Sequence, residues 1–239
     1  MNKEKIIQTL HPILNNKEID QFTRLQKIIT ILNKSSNLTR LIHGNDYWVS
    51  QIYDSVWPFL ENSKSEFNSK KYIDIGSGCG FPGLAYAITH PDSEVFLIDS
   101  SKKKTDALKK IVTEMNLENQ IQIINDRIEN IGRDQNYRNK FDIGTARAVA
   151  KPSTLAEYLI PILNQKGKGI LYCGKWDIEE QRKLENSLKI LNASIHKISR
   201  KILPAKKGER NIIFIQPNMQ CPDIYPRRIG KPSKYPLGN

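Results

Sequence analysis

The fold is decided by the stretch Lys71-Tyr72-Ile73-Asp74-Ile75-Gly76-Ser77-Gly78-Cys79-Gly80-Phe81-Pro82-Gly83. Residues 72–75 have the apolar pattern of a short buried strand, and a glycine-rich turn follows. Glycine adopts positive φ and lets the backbone approach a ligand with no Cβ in the way. Pro82 suits the first position of a helix, where a missing N–H costs nothing. Because the free N–H groups of that helix point back at the turn, the stretch predicts a cradle for a nucleotide-type cofactor.

Two cofactor families fit this turn. Residues 78–83 match the dinucleotide fingerprint G-x-G-x-x-G, which is a weak signal when it stands alone. The stretch also reads as D-x-G-x-G-x-G from Asp74, the first motif of S-adenosylmethionine (AdoMet) methyltransferases. A carboxylate attracts the α-amino and sulfonium groups of AdoMet, whereas it repels the phosphates of a dinucleotide. An ordinary glycine-rich turn without a ligand is the third alternative.

Composition limits the classes of protein to consider. A chain of 239 residues has room for one α/β domain with an appendage. Its formal net charge of +12 favours a polyanionic partner, RNA or DNA before an anionic membrane, with a merely soluble basic protein as the alternative. The three cysteines are far apart and form neither a disulfide framework nor a zinc pattern. Without a signal peptide in residues 1–5 or an apolar run of about 18 residues, we expect a cytoplasmic protein with no membrane and no metal.

The first part of the chain, residues 1–68, is predicted to be helical. Apolar residues recur there at helical spacing: Ile19, Phe22, Leu25, Ile28, Ile29 and Leu32. Asp46 is a candidate cap for a second helix that continues to Leu60, and the polar residues 63–71 predict a linker. Three aromatic side chains could stack on bases, although packing is their commoner use: Trp48, Tyr53 and Trp57.

From residue 72 onward, predicted strands and helices alternate, which is typical of βαβ units in a parallel sheet. The strands are expected at residues 72–75, 94–99, 121–124 and 169–172, with a closing pair at 194–202 and 211–216. Residues 141–148 are expected to be the fourth strand running into its loop. Helices are expected at residues 84–89, 154–163 and 177–191. A further helix is expected to begin after a cap at Ser100 or Ser101. The predicted fold is α/β, a Rossmann-like methyltransferase fold with a mostly parallel seven-stranded sheet and an N-terminal helical extension. The predicted parts are a helical region (1–68), a methyltransferase domain (69–216) and a basic tail (217–239).

Polar residues follow several of these strands, at the edge of a parallel sheet where ligands bind. Asp99 lies about 20 residues after the glycines, where an acid binds the two ribose hydroxyls of a nucleotide cofactor. Ile128 and Glu129 follow the third strand, in the turn that usually contacts adenine in AdoMet enzymes. Arg147 is placed just after the fourth strand.

Two basic segments supply candidate phosphate contacts. Residues 201–210 connect the last two predicted strands, and the tail has cations separated by prolines but no core-forming pattern. The tail is therefore predicted to be a phosphate-contacting arm, with a disordered basic end as the alternative. The residues expected to bind RNA are Lys206, Lys207, Arg210, Arg227, Arg228, Lys231 and Lys234.

Several motifs together resemble the RsmG family, also called glucose-inhibited division protein B, over essentially the whole chain. They are Ser-Asn-Leu-Thr (36–39), Asp-Ser (54–55), the glycine turn (74–83), Arg-Ala-Val-Ala (147–150) and Tyr-Pro-Arg-Arg-Ile-Gly-Lys-Pro (225–232). Family members are bacterial guanine-N7 methyltransferases of 16S ribosomal RNA. The resemblance therefore implies AdoMet as the cofactor and 16S rRNA, or the assembling small subunit, as the partner. The chain departs from the family pattern at Leu32-Asn33, where tryptophan is usual, and at Gln51, where histidine is usual.

The glycine turn supplies Asp74 and Gly78 as candidate cofactor contacts. The resemblance implies further cofactor contacts at Gly76, Phe81, Asp99, Ser100, Ser101, Ile128, Glu129 and Arg147.

The chemistry expected from this resemblance needs no general base, since guanine N7 carries a lone pair and no hydrogen. Positioning and a suitable electrostatic site are then the main requirements, and Arg147 is the candidate catalytic residue that orients the cofactor or the base. The lack of Asn-Pro-Pro-Tyr or Asp-Pro-Pro-Tyr after the fourth strand disfavours methylation of amino groups. Two alternatives stay open, an NAD(P)-linked oxidoreductase and a non-catalytic RNA-binding or ribosome-assembly protein. We expect a monomer.

Overall fold

The computed structural model describes Gln8, Leu10, residues 12–60, Phe67 and residues 70–238. Most of the predicted linker at residues 63–71 lies outside the described residues, as do residues 1–5. The strands in the described part are β1 (Lys71–Ile75), β2 (Glu94–Ile98), β3 (Ile121–Ile124), β4 (Phe141–Arg147), β5 (Leu163–Cys173), β6 (Ala193–Ile202) and β7 (Glu209–Pro217). They form one sheet in the order β3-β2-β1-β4-β5-β7-β6. The pairs among β1 to β5 are parallel and β7 is antiparallel to both of its neighbours, which confirms the predicted sheet.

The helices are α1 (Asn16–Ser36), α2 (Asp54–Leu60), α3 (Gly83–Thr89), α4 (Lys102–Met115), α5 (Ile128–Ile131), α6 (Pro152–Leu159), α7 (Ile178–Ile190) and α8 (Lys231–Lys234), with a π-helical segment at Asp46–Tyr53 that runs into α2. Most predicted elements agree to within a few residues. β5 begins at Leu163 rather than at residue 169, because its first residues pair with Phe141 across an irregular register. The prediction that Asp46 caps a helix is wrong, since its carboxylate binds the Lys207 ammonium instead.

The side chains of each strand alternate between two helical layers. Tyr72 packs into a core with α1, α2, α3 and α4, whereas its neighbour Ile73 packs into a second core with α6 and α7. The N-terminal helices share the first core with the sheet, and Phe22 is fully buried there. Trp48, Tyr53 and Trp57 are buried as well, so packing is the correct reading of these aromatics. The division at residues 68 and 216 stays a prediction.

Residues 217–238 of the C-terminal tail pack against the second layer, so they are not a disordered end, and their phosphate contacts stay a prediction. Pro226 and Pro232 are buried, and the buried guanidinium of Arg138 donates to the carbonyl oxygens of Tyr225 (2.6 Å) and Cys221 (2.8 Å). The sequence gives little sign of this packing, because the tail is held mainly by hydrogen bonds rather than by an apolar stripe.

Candidate active site

A cavity of about 310 Å³ lies at the carboxyl edge of the sheet, beside the point where the strand order reverses between β1 and β4. Open α/β sheets bind their ligands at this position. Five of the residues predicted to contact the cofactor line the cavity: Gly76, Asp99, Ser100, Ile128 and Glu129. Gly78, Phe81 and Ser101 lie in the adjoining turns outside the lining, and their cofactor contacts stay predictions.

The glycine turn has the backbone that a close ligand needs. Gly76 has φ of +69°, and a Cβ on it would lie 2.5 Å from Cγ2 of Val149, which also lines the cavity. A side chain at position 76 would therefore strain the backbone and displace the loop after β4. Pro82 directly precedes α3, one position earlier than the sequence predicts.

Asp99 joins the loop after β2 to the glycine turn. Its Oδ2 accepts a hydrogen bond from the Gly78 N–H (2.9 Å) and its Oδ1 accepts one from the Ser101 N–H (2.9 Å). The Lys104 ammonium lies 3.7 Å from Oδ2. Ser101 precedes α4, but its hydroxyl makes no capping hydrogen bond. Because a carboxylate oxygen has two lone pairs, both Asp99 oxygens can still accept from hydroxyl groups in the cavity.

Glu129 is the second acid of the cavity, and it is almost fully buried. Its Oε1 accepts hydrogen bonds from the Gly230 N–H (3.0 Å) and the Tyr158 hydroxyl (3.2 Å). Within the described part of the chain, Oε2 has no hydrogen-bond partner, and the Arg127 Nε lies 3.6 Å away. The acid on one side of the cavity is thus bound by the glycine turn, and the acid on the other side by the C-terminal tail. No pattern in the sequence singles out Tyr158 as a functional residue.

Asp74 lies beneath the glycine turn rather than on the cavity surface. Its Oδ2 accepts from the Gly83 N–H (3.1 Å) and its Oδ1 accepts from the Thr145 hydroxyl (3.0 Å), which also bonds to the Tyr72 hydroxyl (2.7 Å). Burial raises the pKa of Asp74 to about 7, against the opposing effect of these hydrogen bonds. The sequence predicts a direct attraction between this carboxylate and the cofactor. The side chain instead holds the turn, α3 and β4 together, because it points into the protein.

Arg147 ends β4 and points at the N-terminal helices. Its Nη1 donates to the Ser50 carbonyl oxygen (3.2 Å) and the Ser55 hydroxyl (3.3 Å), and lies 3.4 Å from Oδ2 of Asp54. Its Nη2 donates to Oε1 of Gln51, the residue that stands where the family usually has histidine. The helical extension therefore fixes the orientation of the guanidinium.

Asp54 joins three parts of the chain at one buried carboxylate. Besides Arg147 it binds Arg210 of β7, whose Nε donates to Oδ1 at 2.8 Å. The Asp54 side chain is 1% exposed, against 14% for Arg147 and 23% for Arg210. The Asp-Ser motif contributed to the family resemblance, but no role was assigned to Asp54 from the sequence. The feature that could have indicated its role is a carboxylate within a mostly apolar helical segment.

The cations predicted to bind RNA divide into two groups. Three have internal partners: Lys207 with Asp46, Arg210 with Asp54, and Arg227 with Glu157. The others are exposed: Lys206, Arg228, Lys231 and Lys234. The internal ion pairs explain why a count of basic residues overstates the charge that is free to meet a phosphate.

The three cysteines are free thiols. Burial raises the pKa of Cys173 and that of Cys221 to about 12, which disfavours a nucleophilic thiolate. Across residues 12–60 and 70–238, no group of three or more His, Cys, Asp and Glu side chains has the geometry to hold a metal ion. None of the described helices is both long enough and apolar enough to cross a membrane.

Comparisons with known proteins assign the chain to a family. Residues 18–213 match the family model described as GidB, rRNA small subunit methyltransferase G. A relative from Prochlorococcus marinus (strain MIT 9515), named ribosomal RNA small subunit methyltransferase G, is 58% identical over 237 residues, which cover 99% of each chain. A relative of the same name from strain NATL2A is 46% identical and covers 94% of this chain and 90% of its own.

Comparison with solved structures shows which fold the chain has. The magnesium protoporphyrin IX methyltransferase from Synechocystis PCC 6803 with bound SAM has a TM-score of 0.58 at 14% identity, covering 81% of this chain and 97% of that one. The mitomycin 7-O-methyltransferase has a TM-score of 0.56 at 9% identity, covering 84% and 67%. Both likenesses agree with the predicted Rossmann-like methyltransferase fold. The family model and the relatives establish that the chain belongs to the rRNA small subunit methyltransferase G family.

Proposed function

We propose that this chain transfers a methyl group from AdoMet to N7 of a guanine in 16S rRNA, on the free RNA or on the assembling small subunit. The observation that carries the proposal is the cavity at the carboxyl edge of the sheet, where two buried acids, Asp99 and Glu129, keep acceptor capacity for a ligand. Membership of the methyltransferase family supplies the reaction class and the cofactor.

The two acids suggest how the adenosine part of AdoMet binds. We assign the ribose hydroxyls to Asp99, because a diol donates two hydrogen bonds to a carboxylate. We assign the adenine to Ile128 and Glu129, since an exocyclic amino group is the donor that Glu129 Oε2 lacks. The methionine part then lies along the turn that contains Gly76, Gly78 and Phe81. The carboxylate of Asp74 acts indirectly by holding that turn.

When bound, AdoMet supplies a methyl group on a sulfonium leaving group. The residues of this chain need only orient the two reactants, because guanine N7 has no proton to lose. The acids at the cavity fit this requirement, since Asp99 and Glu129 serve as hydrogen-bond acceptors and Asp74 is enclosed. Arg147 is the residue we assign to the target base. Its guanidinium is held in place by Asp54 and Gln51 and presents a planar fork of N–H donors.

The RNA-binding cations that we propose are the exposed ones of the tail and of the connection between β6 and β7. They are Lys206, Arg228, Lys231 and Lys234. Arg210 and Arg227 contribute less than expected from the sequence, because each neutralises a buried carboxylate. Such a surface gives affinity for phosphates without sequence selectivity, so the choice of guanine comes from the shape of the RNA or of the particle.

The experiment is to incubate the purified protein with labelled AdoMet and either 16S rRNA or small-subunit particles, followed by nucleoside mapping. We expect label in 7-methylguanosine, and Arg147→Ala should lose most of it. Label in a different nucleoside would contradict N7 as the target. If RNA binds but no label is transferred, the protein is a non-catalytic binder, and tight NAD binding without AdoMet binding would favour the oxidoreductase alternative.

A further inference from the structure

The side chain of Glu129 has an incomplete set of hydrogen bonds on its cavity side. The residue is 1% exposed, and its Oε2 has no hydrogen-bond donor among the described residues. The nearby Arg127 Nε, at 3.6 Å, is within the range of an ion pair but too far for a hydrogen bond. Buried carboxylate oxygens are rarely left without a donor, so a ligand in the cavity is the natural partner.

The other oxygen of Glu129 is held by the C-terminal tail. The Gly230 N–H donates to Oε1 directly (3.0 Å), and the second donor, the Tyr158 hydroxyl (3.2 Å), is itself 3.0 Å from the Ser233 hydroxyl. Burial raises the pKa of Tyr158, so its hydroxyl stays protonated. A hydroxyl has one proton, so while Tyr158 donates to Glu129 it accepts from Ser233. The tail thus supplies one of the two donors to Oε1 and contacts the other.

The tail itself is attached to α6 by an ion pair. The Glu157 carboxylate is fully buried. It accepts from the Arg227 backbone N–H (2.8 Å), from its Nε (2.9 Å) and from its Nη2 (2.6 Å). The Thr154 hydroxyl donates to the Pro232 carbonyl oxygen (3.2 Å) one turn earlier in the same helix. Glu157 directly precedes Tyr158 in the sequence. The Arg227–Glu157 ion pair therefore holds the tail near Tyr158, whose hydroxyl contacts Ser233.

We propose that the Arg227–Glu157 pair is a latch for adenine selectivity, which holds the tail so that Glu129 Oε2 accepts a hydrogen bond from the exocyclic amino group of the cofactor. This inference rests on the proposed binding of the adenosine part of AdoMet in the cavity. Arg227 and Glu157 are positioning residues, because they act through Gly230 and Ser233. Hypoxanthine has a carbonyl oxygen in place of the amino group, and that oxygen would face the carboxylate without a hydrogen between them.

The test compares the affinities of the full-length protein for S-adenosylhomocysteine and S-inosylhomocysteine by calorimetry. We expect the wild type to prefer the adenosyl compound by tenfold or more, the usual effect of one hydrogen bond to a charged group. Arg227→Ala should reduce this preference at least threefold by weakening the adenosyl compound alone. Ser233→Ala should act in the same direction, because it removes the donor to the Tyr158 oxygen and so loosens the hydroxyl that orients Glu129.

The matched control is Arg228→Ala, since the neighbouring side chain is exposed and has no hydrogen bond or ion pair within the described residues. Its preference between the two ligands should equal that of the wild type. If Arg227→Ala does not fold, Ser233→Ala decides the question, because it removes a single hydroxyl from an exposed residue. An equal loss of affinity for both ligands, or an unchanged preference in Ser233→Ala, would overturn the latch. A wild type that binds neither ligand would instead overturn the proposed function on which the inference rests.

Discussion

The two ends of the chain are attached to the sheet in opposite ways. The N-terminal helices bury large apolar side chains such as Phe22 and Trp48 in the first core, and they contribute a carboxylate, Asp54, to two arginines of the sheet. The C-terminal tail contributes an arginine, Arg227, to the Glu157 carboxylate of α6. A fully buried large apolar side chain stabilises the fold by about 1.5–3 kcal/mol, so the first attachment belongs to the folded core. The second depends mainly on polar contacts, so we expect it to open without unfolding the sheet.

The largest effect is expected at the N-terminal attachment. Asp54→Ala leaves Arg147 and Arg210 without their shared carboxylate, and breaking a buried pair costs about 3–5 kcal/mol. Because both guanidinium groups keep some exposure to solvent, we expect a loss of about 3 kcal/mol in the free energy of unfolding, measured in urea. The control is Asp46→Ala, which removes a more exposed carboxylate from the same segment and should cost less than about 1 kcal/mol. Equal losses in the two variants would show that the Asp54 cluster contributes no special stability.

Asp74 is a buried carboxylate without a guanidinium partner, so it can be compared with the paired carboxylates Asp54 and Glu157. The folded-state pKa of Asp74 is raised from 3.8 to about 7, so the folded protein binds more protons than the unfolded chain between these values. Its contribution to stability therefore falls as pH rises through that window, by at most about 1.4 kcal/mol per pH unit. Asp74→Asn should remove this slope, so that wild type and variant diverge between pH 5 and 7 in urea unfolding. Parallel stability profiles would mean that the side chain does not titrate there.

A smaller loss is expected at the tail. Arg227→Ala leaves Glu157 without its guanidinium, but the tail can lift and let water reach the carboxylate. We therefore expect a loss of about 1–2 kcal/mol in the free energy of unfolding. We also expect faster hydrogen exchange confined to residues 227–235. Arg228→Ala should leave both quantities unchanged. Faster exchange throughout the sheet in Arg227→Ala would show that the tail is part of the global fold, as the N-terminal helices are.

The smallest effect concerns the RNA surface. Lys231→Ala should reduce the slope of log affinity for RNA against log salt by about 0.7–0.9, the value for one phosphate contact. Its control is Lys140→Ala, an exposed cation just before β4 and thus at the opposite edge of the sheet. Deletion of the tail would be a poorer test, because it also removes the contacts of Gly230 and Ser233 at the cavity. An unchanged slope in Lys231→Ala would show that the tail is not part of the proposed RNA-binding surface.

The contrast between the apolar N-terminal attachment and the polar attachment of the tail explains which parts of the structure could be predicted from the sequence. Strand alternation and the glycine turn predicted the sheet, and the family match confirms the methyltransferase class with AdoMet as its cofactor. The apolar stripe through Phe22 predicted the helical extension, because a buried face repeats with the helical period. The docked tail was missed, since bonds such as that from Gly230 to Glu129 have no period in the sequence. The direction of Asp74 was missed for a similar reason, because a motif fixes a position in the chain and not where its side chain points.

We expect the two attachments to serve different steps, the N-terminal one positioning Arg147 for the target base and the tail positioning Glu129 for the cofactor. The most direct test is the dependence of methyl transfer on AdoMet concentration, at saturating RNA, for Asp54→Asn and Arg227→Ala. Asp54→Asn should lower kcat at least tenfold with KM for AdoMet nearly unchanged. Arg227→Ala should raise that KM several-fold while kcat is retained. If both variants change the same constant, the division of labour between the two ends of the chain is contradicted.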